Sequence, residues 1–211
     1  SEVAGAIAYG SLMGARGNSG VILSQILRGI ADTFRDEHEV DVAHLVTALD
    51  RASQAAYAAV QRPVEGTILT VLREASEAAE LAGSEAGLDL AGLLHAVYDR
   101  AVDALERTPE MLPVLKQAGV VDAGGAGLLL LLSAFLEVVT GTDVELPEHV
   151  LRAHARLEGL EASQPDVAAL RYEVMYFLEA DDEAVAAVGP VDPEIGVLRL
   201  DRQDGRNLAV I

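Results

Sequence analysis

The sequence contains no cysteine and no tryptophan, and aromatic residues make up only 4% of it. Without cysteine there are no disulfides, no thiol catalysis and no thiolate zinc sites. The lack suits a cytoplasmic protein. Positive charge is also scarce: 15 lysines and arginines stand against 34 aspartates and glutamates, a net charge of −19. A chain this acidic repels phosphate backbones and anionic bilayers, so neither nucleic acid nor a lipid surface is an expected partner. A nucleotide is still allowed, because backbone N–H groups and a metal ion can bind it without global positive charge. Long apolar runs are lacking as well. The longest, Ala126–Val139, is interrupted by Ser133 and Glu137 and is too short to span a bilayer comfortably, so no transmembrane segment is expected. No signal peptide is visible. An initiator methionine is missing too. The chain opens Ser-Glu-Val-Ala-Gly-Ala-Ile-Ala inside a helical pattern that places Val3, Ile7 and Leu12 on a shared apolar side. That beginning is expected of a fragment, a processed product or a sequence stripped of disordered residues.

What is present is aliphatic. Hydrophobic residues make up 51% of the 211 positions, with Ala, Leu and Val dominant. That supplies a sizeable core for one large domain, alone or with a small second one. It also favours a mainly α fold. Residues 1–158 read as successive helices with glycine or proline punctuation. The first runs to about Met13. The second starts near Asn18 or Ser19, both good N-caps, and runs to about Phe34. A third follows Asp41, with Val42, Leu45, Val46 and Leu49 at helical spacing. The next are Thr67 to about Ala82, Leu88–Glu106, Pro109–Gln117 with proline at its start, Ala123–Thr140, and Glu148–Leu160. The short connections favour antiparallel neighbours in a bundle or barrel. Ala123–Thr140 is apolar nearly all round, so it is expected to be central or to line an interior. Residues 159–167 read as a linker. Arg171–Leu178, Ile195–Leu200 and Asn207–Ile211 read as strands, with a helix start at Asp181–Val188, making 168–211 a partial α/β domain.

Three loops carry the chemistry. Gly14-Ala15-Arg16-Gly17-Asn18-Ser19-Gly20 spaces three glycines by three residues and enters a helix. The backbone can come close to a ligand there, and free N–H groups with a positive dipole end attract anions. The bland alternative, a glycine-rich interhelical turn, is equally weighted on this heptad alone. Pro63-Val64-Glu65-Gly66-Thr67-Ile68 ends one helix and starts another, and in isolation Thr67 reads as an N-cap. Gly119-Val120-Val121-Asp122-Ala123-Gly124-Gly125-Ala126-Gly127 crowds small residues at a helix entrance, with Asp122 as a cap or a ligand contact. In an antiparallel bundle the helices starting near 18, 67 and 123 can share one end and form a single anion-binding rim. Other polar residues weigh less. His38, His44 and His95 lack evident partners. His149 and His154 are five apart, which is not a tight metal spacing. Ser19 and Ser24 have no nearby histidine base.

Read together, Gly10–Gln25, Pro63–Thr70 and Ala118–Leu129 resemble three ordered blocks of the DhaL, or DAK2, family. Within it they look closest to the branch of the bacterial fatty-acid kinase catalytic subunit. The resemblance covers residues 1–160 densely, and 168–187 look like the start of that branch's middle domain. It implies an eight-helix barrel holding Mg-ATP at one end, with nucleotide contacts on Gly17, Asn18, Ser19, Gly66, Thr67, Asp122 and Gly124. Arg107 matches a family arginine near the phosphates, with altered spacing to Asp122. ATP or ADP and Mg²⁺ are the implied cofactors. The family's metal-ligating Asp-Gly-Asp-Thr-Gly motif is not in this sequence, so no metal ligand is assigned and no kinase activity is expected of these 211 residues alone. Zinc, which some relatives bind in the middle domain, is not expected either. The implied reaction is phosphoryl transfer from ATP to a fatty acid presented by a separate binding protein. A dihydroxyacetone-type kinase subunit and a non-enzymatic helical binding module remain the alternatives, and a homodimer is compatible with the sequence.

Overall fold

The computed structural model describes residues 2–35 and 37–147, together with three strand segments at 177–180, 198–201 and 207–210. The described chain is mainly α. Its helices are α1 (Glu2–Gly14), α2 (Gly17–Phe34), α3 (Val42–Ala58), α4 (Ile68–Gly83), α5 (Leu90–Glu106), α6 (Thr108–Met111), α7 (Pro113–Ala118) and α8 (Ala123–Thr140). Strands β1 (Phe177–Ala180), β2 (Leu198–Asp201) and β3 (Asn207–Val210) form an antiparallel sheet in the order β1-β3-β2. The expected helices over 148–160 and 181–188 and the linker over 159–167 lie outside the described residues.

Side-chain caps start most of the long helices. Asp41, Thr67, Asp89 and Asp122 each accept a bond from a first-turn backbone N–H of α3, α4, α5 and α8. Each such cap satisfies one donor that the helix cannot use itself. His44 has a partner after all. Its Nδ1 accepts the Asp41 N–H at 3.4 Å, while the Asp41 carboxylate accepts the His44 N–H at 2.9 Å. The single helix expected over Pro109–Gln117 is two. Leu112 is extended between them (φ −120°, ψ 104°), the conformation favoured by a residue preceding a proline, here Pro113.

Helices α2, α3 and α4, consecutive in the chain, alternate in direction, whereas α8 runs alongside α4 from the same end. Gly83, the last residue of α4, abuts Val42 and Val46 in the first turns of α3. Gly29 of α2 lies so close to Ala52 of α3 that a methyl group there would stand 2.7 Å from the Ala52 Cα. The core collects Ile26 and Leu49 with Val71 and Leu72 of α4, Leu93, Val97 and Leu105 of α5, and Leu129 and Leu136 of α8. Between α2, α3, α4, α5 and α8 lies an apolar cavity lined by Ile30, Leu45, Leu72, Leu94 and Leu128 among others.

Two helices leave apolar residues exposed, α8 against the expectation of a central position. On α1, Val3 and Ile7 are exposed, Leu12 is half-buried and Ala4 is buried. Helix α8 is also one-sided. Leu128, Leu129, Leu132 and Leu136 face the core against α4 and α5, whereas Leu130, Phe135, Val138 and Val139 are exposed. By length and composition alone this helix is long and apolar enough to cross a membrane.

Candidate functional site

At the end where α4 and α8 begin, three connections are locked together. Gly66 is buried with φ +80°, and its N–H donates to the Thr70 hydroxyl at 2.8 Å. A methyl group at Gly66 would stand 2.9 Å from the Met111 Cβ and 3.0 Å from the Thr108 carbonyl oxygen. Both the backbone angle and the lack of room call for glycine. Thr108 is fully buried. Its hydroxyl donates to the Leu105 carbonyl at 2.7 Å and accepts the Asp122 N–H at 3.1 Å. One threonine thus ties the end of α5 to the entrance of α8.

Asp122 caps α8, its carboxylate accepting the Gly125 N–H at 2.7 Å. Burial pushes this carboxyl above the usual carboxylate range, against the opposing pull of the Gly125, Ile68 and Gly124 N–H groups. Ile68 opens α4, so a single carboxylate serves the positive ends of two helices. A methyl group at Gly124 would meet the Ile68 Cβ at 3.3 Å, and one at Gly125 would meet a Val71 methyl at 2.9 Å. Gly124 and Gly125 are therefore accounted for by the close approach of α8 to α4 and α5, whereas Gly127 has open space beside it. Thr67 is the N-cap of α4, and its hydroxyl also donates to the Val64 carbonyl at 2.8 Å.

Helix α2 starts differently from the sequence expectation. Neither Asn18 nor Ser19 is its cap. The helix begins at Gly17, whose φ of +64° turns the chain directly out of α1 across Ala15 and Arg16. Arg16 holds the cap position without a side-chain cap bond, its guanidinium donating instead to the Ala15 carbonyl at 2.7 Å. Asn18 and Ser19 are exposed in the first turn. The antiparallel alternation sets this start at the same end of the bundle as those of α4 and α8. Among the described residues, however, no hydrogen bond joins Gly17, Asn18 or Ser19 to Gly66, Thr67, Asp122 or Gly124.

Arg107 caps the C-terminus of α5, directly before Thr108. Its guanidinium turns back from the loop cluster to Glu74 of α4 and to Asp103, the latter at 3.1 Å. Both partners hold its pKa above the ordinary arginine value, Glu74 most strongly. Sequence reading missed Glu74. It is 4% exposed, and Arg100 reaches it at 2.9 Å and Arg73 at 3.8 Å. It also missed Glu65, which accepts from the Thr70 hydroxyl at 2.6 Å and the Tyr57 hydroxyl at 2.9 Å. Those bonds, led by Thr70, hold its carboxyl below the usual range. A glutamate on the buried side of α4, and arginines seven apart on α5, were the available signals. Neither names its partner. Among the described residues no three histidines, aspartates or glutamates converge as a metal site, so no step is assigned to Mg²⁺ on these side chains.

Comparison with known proteins agrees with the loop pattern. A family model described as the DAK2 domain matches residues 1–137. Protein YloV of Bacillus subtilis (strain 168) is 46% identical over 143 residues, covering 68% of this chain and 26% of that protein. An uncharacterized protein of Staphylococcus aureus (strain USA300) is 44% identical over 145 residues, again 68% of this chain and 26% of the relative. One from the bovine strain RF122 is 43% identical over 144 residues, with the same coverage. The chain thus spans about a quarter of the length of these relatives. It belongs to the DAK2-domain family, whose members are kinase-related domains that generally bind nucleotide.

Proposed function

We propose that this chain carries the nucleotide end of an ATP-dependent phosphotransferase, whose acceptor is a fatty acid presented by a separate binding protein. The observation that supports it is the start of α2. In a rim where α4 and α8 are already served by Thr67 and Asp122, this long helix has no side-chain cap bond. Its first-turn N–H groups are the free donors for a phosphate. Gly17, Asn18 and Ser19 would hold the phosphates, with Gly66, Thr67, Asp122 and Gly124 shaping the neighbouring wall. The nucleotide supplies the transferable phosphoryl group, and the protein's part is orientation and electrostatic support. Mg²⁺ ligands are proposed to belong to the Asp-Gly-Asp-Thr-Gly segment of the whole protein, which these 211 residues do not include. We read the chain as two units, a helical domain over 1–158 and the beginning of a middle domain over 168–211. The strands β1–β3 favour this branch over a small-sugar kinase subunit that ends with its helical domain.

The test is calorimetric titration of ATP into this chain and into the full-length gene product, each with and without Mg²⁺. Binding is expected in both, tighter in the full-length protein with Mg²⁺, and turnover only in the latter. Ser19→Asp is the companion variant. A carboxylate in the first turn favours the helix but repels a phosphate, so affinity should fall about tenfold or more with no loss in Tm. Absence of nucleotide binding by the full-length protein sinks the reading.

A further inference from the structure

Glu74 is a buried carboxylate with more cations than it needs. Arg107 and Arg100 both meet its Oε2, and Arg73 stands 3.8 Å from its Oε1. The three arginines keep a third or more of their side chains exposed, whereas Glu74 keeps 5%. One partner would have prevented the penalty of an unpaired buried charge. Redundancy has a different consequence: any one arginine can leave while the carboxylate stays paired.

Arg107 is the one with somewhere to go. Its backbone is held at the loop cluster, because the next residue, Thr108, accepts the Asp122 N–H at 3.1 Å and its carbonyl lies against Gly66. Its side chain runs the other way, to a glutamate six residues into α4. At 1.5 Å per residue that is about 9 Å below the start of that helix. The Arg107 side chain therefore leaves a Cα beside the loop cluster and bonds below it. Arg100 sits two turns earlier on α5 and is bonded to Asp103 at 3.0 Å. Arg107 meets the same Asp103 oxygen at 3.1 Å, so what separates the two arginines is place: Arg100 lies farther from the loop cluster and remains to neutralise Glu74.

We propose that Glu74 is a latch that competes with the nucleotide's phosphates for Arg107, and that Arg100 holds the Glu74 charge when Arg107 is released. The inference rests on the nucleotide reading above. Glu74 acts only through Arg107 and is a positioning residue.

The experiment is a double-mutant cycle read by ATP affinity on the full 211-residue chain, with Tm measured on every variant. Glu74→Gln removes the competing charge and should tighten ATP binding by about three- to tenfold. In the Arg107→Gln background the same change should do nothing. Arg100→Gln makes release costlier and should weaken ATP binding by about threefold, and this effect should vanish once Glu74 is glutamine. Arg100→Gln also decides the matter if Glu74→Gln proves too unstable to assay. A purely structural role for Glu74 would lower Tm and leave or weaken affinity regardless of Arg107. That outcome overturns the latch, as does weaker binding that depends on Arg107. Binding of ATP by the wild-type chain together with a flat cycle rejects the latch alone. Failure of the wild-type chain and the full-length protein to bind ATP rejects the nucleotide reading and the latch with it.

Discussion

At the level of single residues, the site end contains two carboxylates pushed in opposite directions. Asp122 is held above its ordinary value of 3.8 by burial, and Glu65 below its ordinary value of 4.5 by the Thr70 hydroxyl first of all. The linkage signs are therefore opposite. The folded state prefers protonated Asp122, so that group's contribution is largest in acid and is lost as pH rises from the unfolded value through the folded one. The folded state prefers ionised Glu65, so its contribution is present above 4.5 and lost as pH falls through the lowered folded value. Chemical denaturation of Asp122→Asn and Glu65→Gln across the acid range checks this. The deficit of Asp122→Asn should shrink on raising the pH and that of Glu65→Gln should grow. Parallel trends would show that the hydrogen bonds, not burial, dominate Asp122. The Glu65 effect should be small, because half of its side chain is in solvent.

At the level of elements, legibility depended on whether a signal was local. Thr67 and Asp122 could be read as caps because a polar side chain next to an apolar run has one common use. The start of α2 could not. Asn18 and Ser19 had the right chemistry, but Gly17 in the left-handed region begins the helix before either can cap it. The break at Leu112 is signalled locally by Pro113, but Pro109 at the start of the same stretch fits one continuous helix equally well. Buried polar residues were the least legible. Glu74 and Thr108 owe their roles to partners on other helices or loops, which no spacing in one segment encodes, whereas Thr70 bonds Gly66 and Glu65 four and five residues before it. Those roles are testable. Thr108→Val leaves the Asp122 N–H and the Leu105 carbonyl without the shared hydroxyl, and should cost about 1–3 kcal/mol in denaturant unfolding. Gly66→Ala combines positive φ with contacts of 2.9 and 3.0 Å to α6. A loss of about 2 kcal/mol or more is expected, and an unchanged midpoint would mean that the 63–67 loop is not pressed on α6 in solution.

For the whole molecule, the question is how a chain with net charge −19 would admit a polyanion. Local donors can hold a phosphate once it arrives, but approach is governed by the summed field, which repels it. Arg73, Arg100 and Arg107 do not offset this at a distance, since they are already matched by Glu74, Glu77 and Asp103, and Arg16 beside the start of α2 is a single charge against the summed field. Added salt screens long-range repulsion more than it weakens contacts inside the rim, because exposed charges beyond about 8–10 Å are the ones that salt hides. On the proposed reading, the association rate of a fluorescent ATP analogue, followed by stopped flow, should rise as sodium chloride is increased from low to physiological ionic strength. The dissociation rate should change less. A rate that falls with salt would mean that the analogue meets a locally positive entrance, and would shift the arriving phosphates from the uncapped start of α2 toward arginines freed from Glu74.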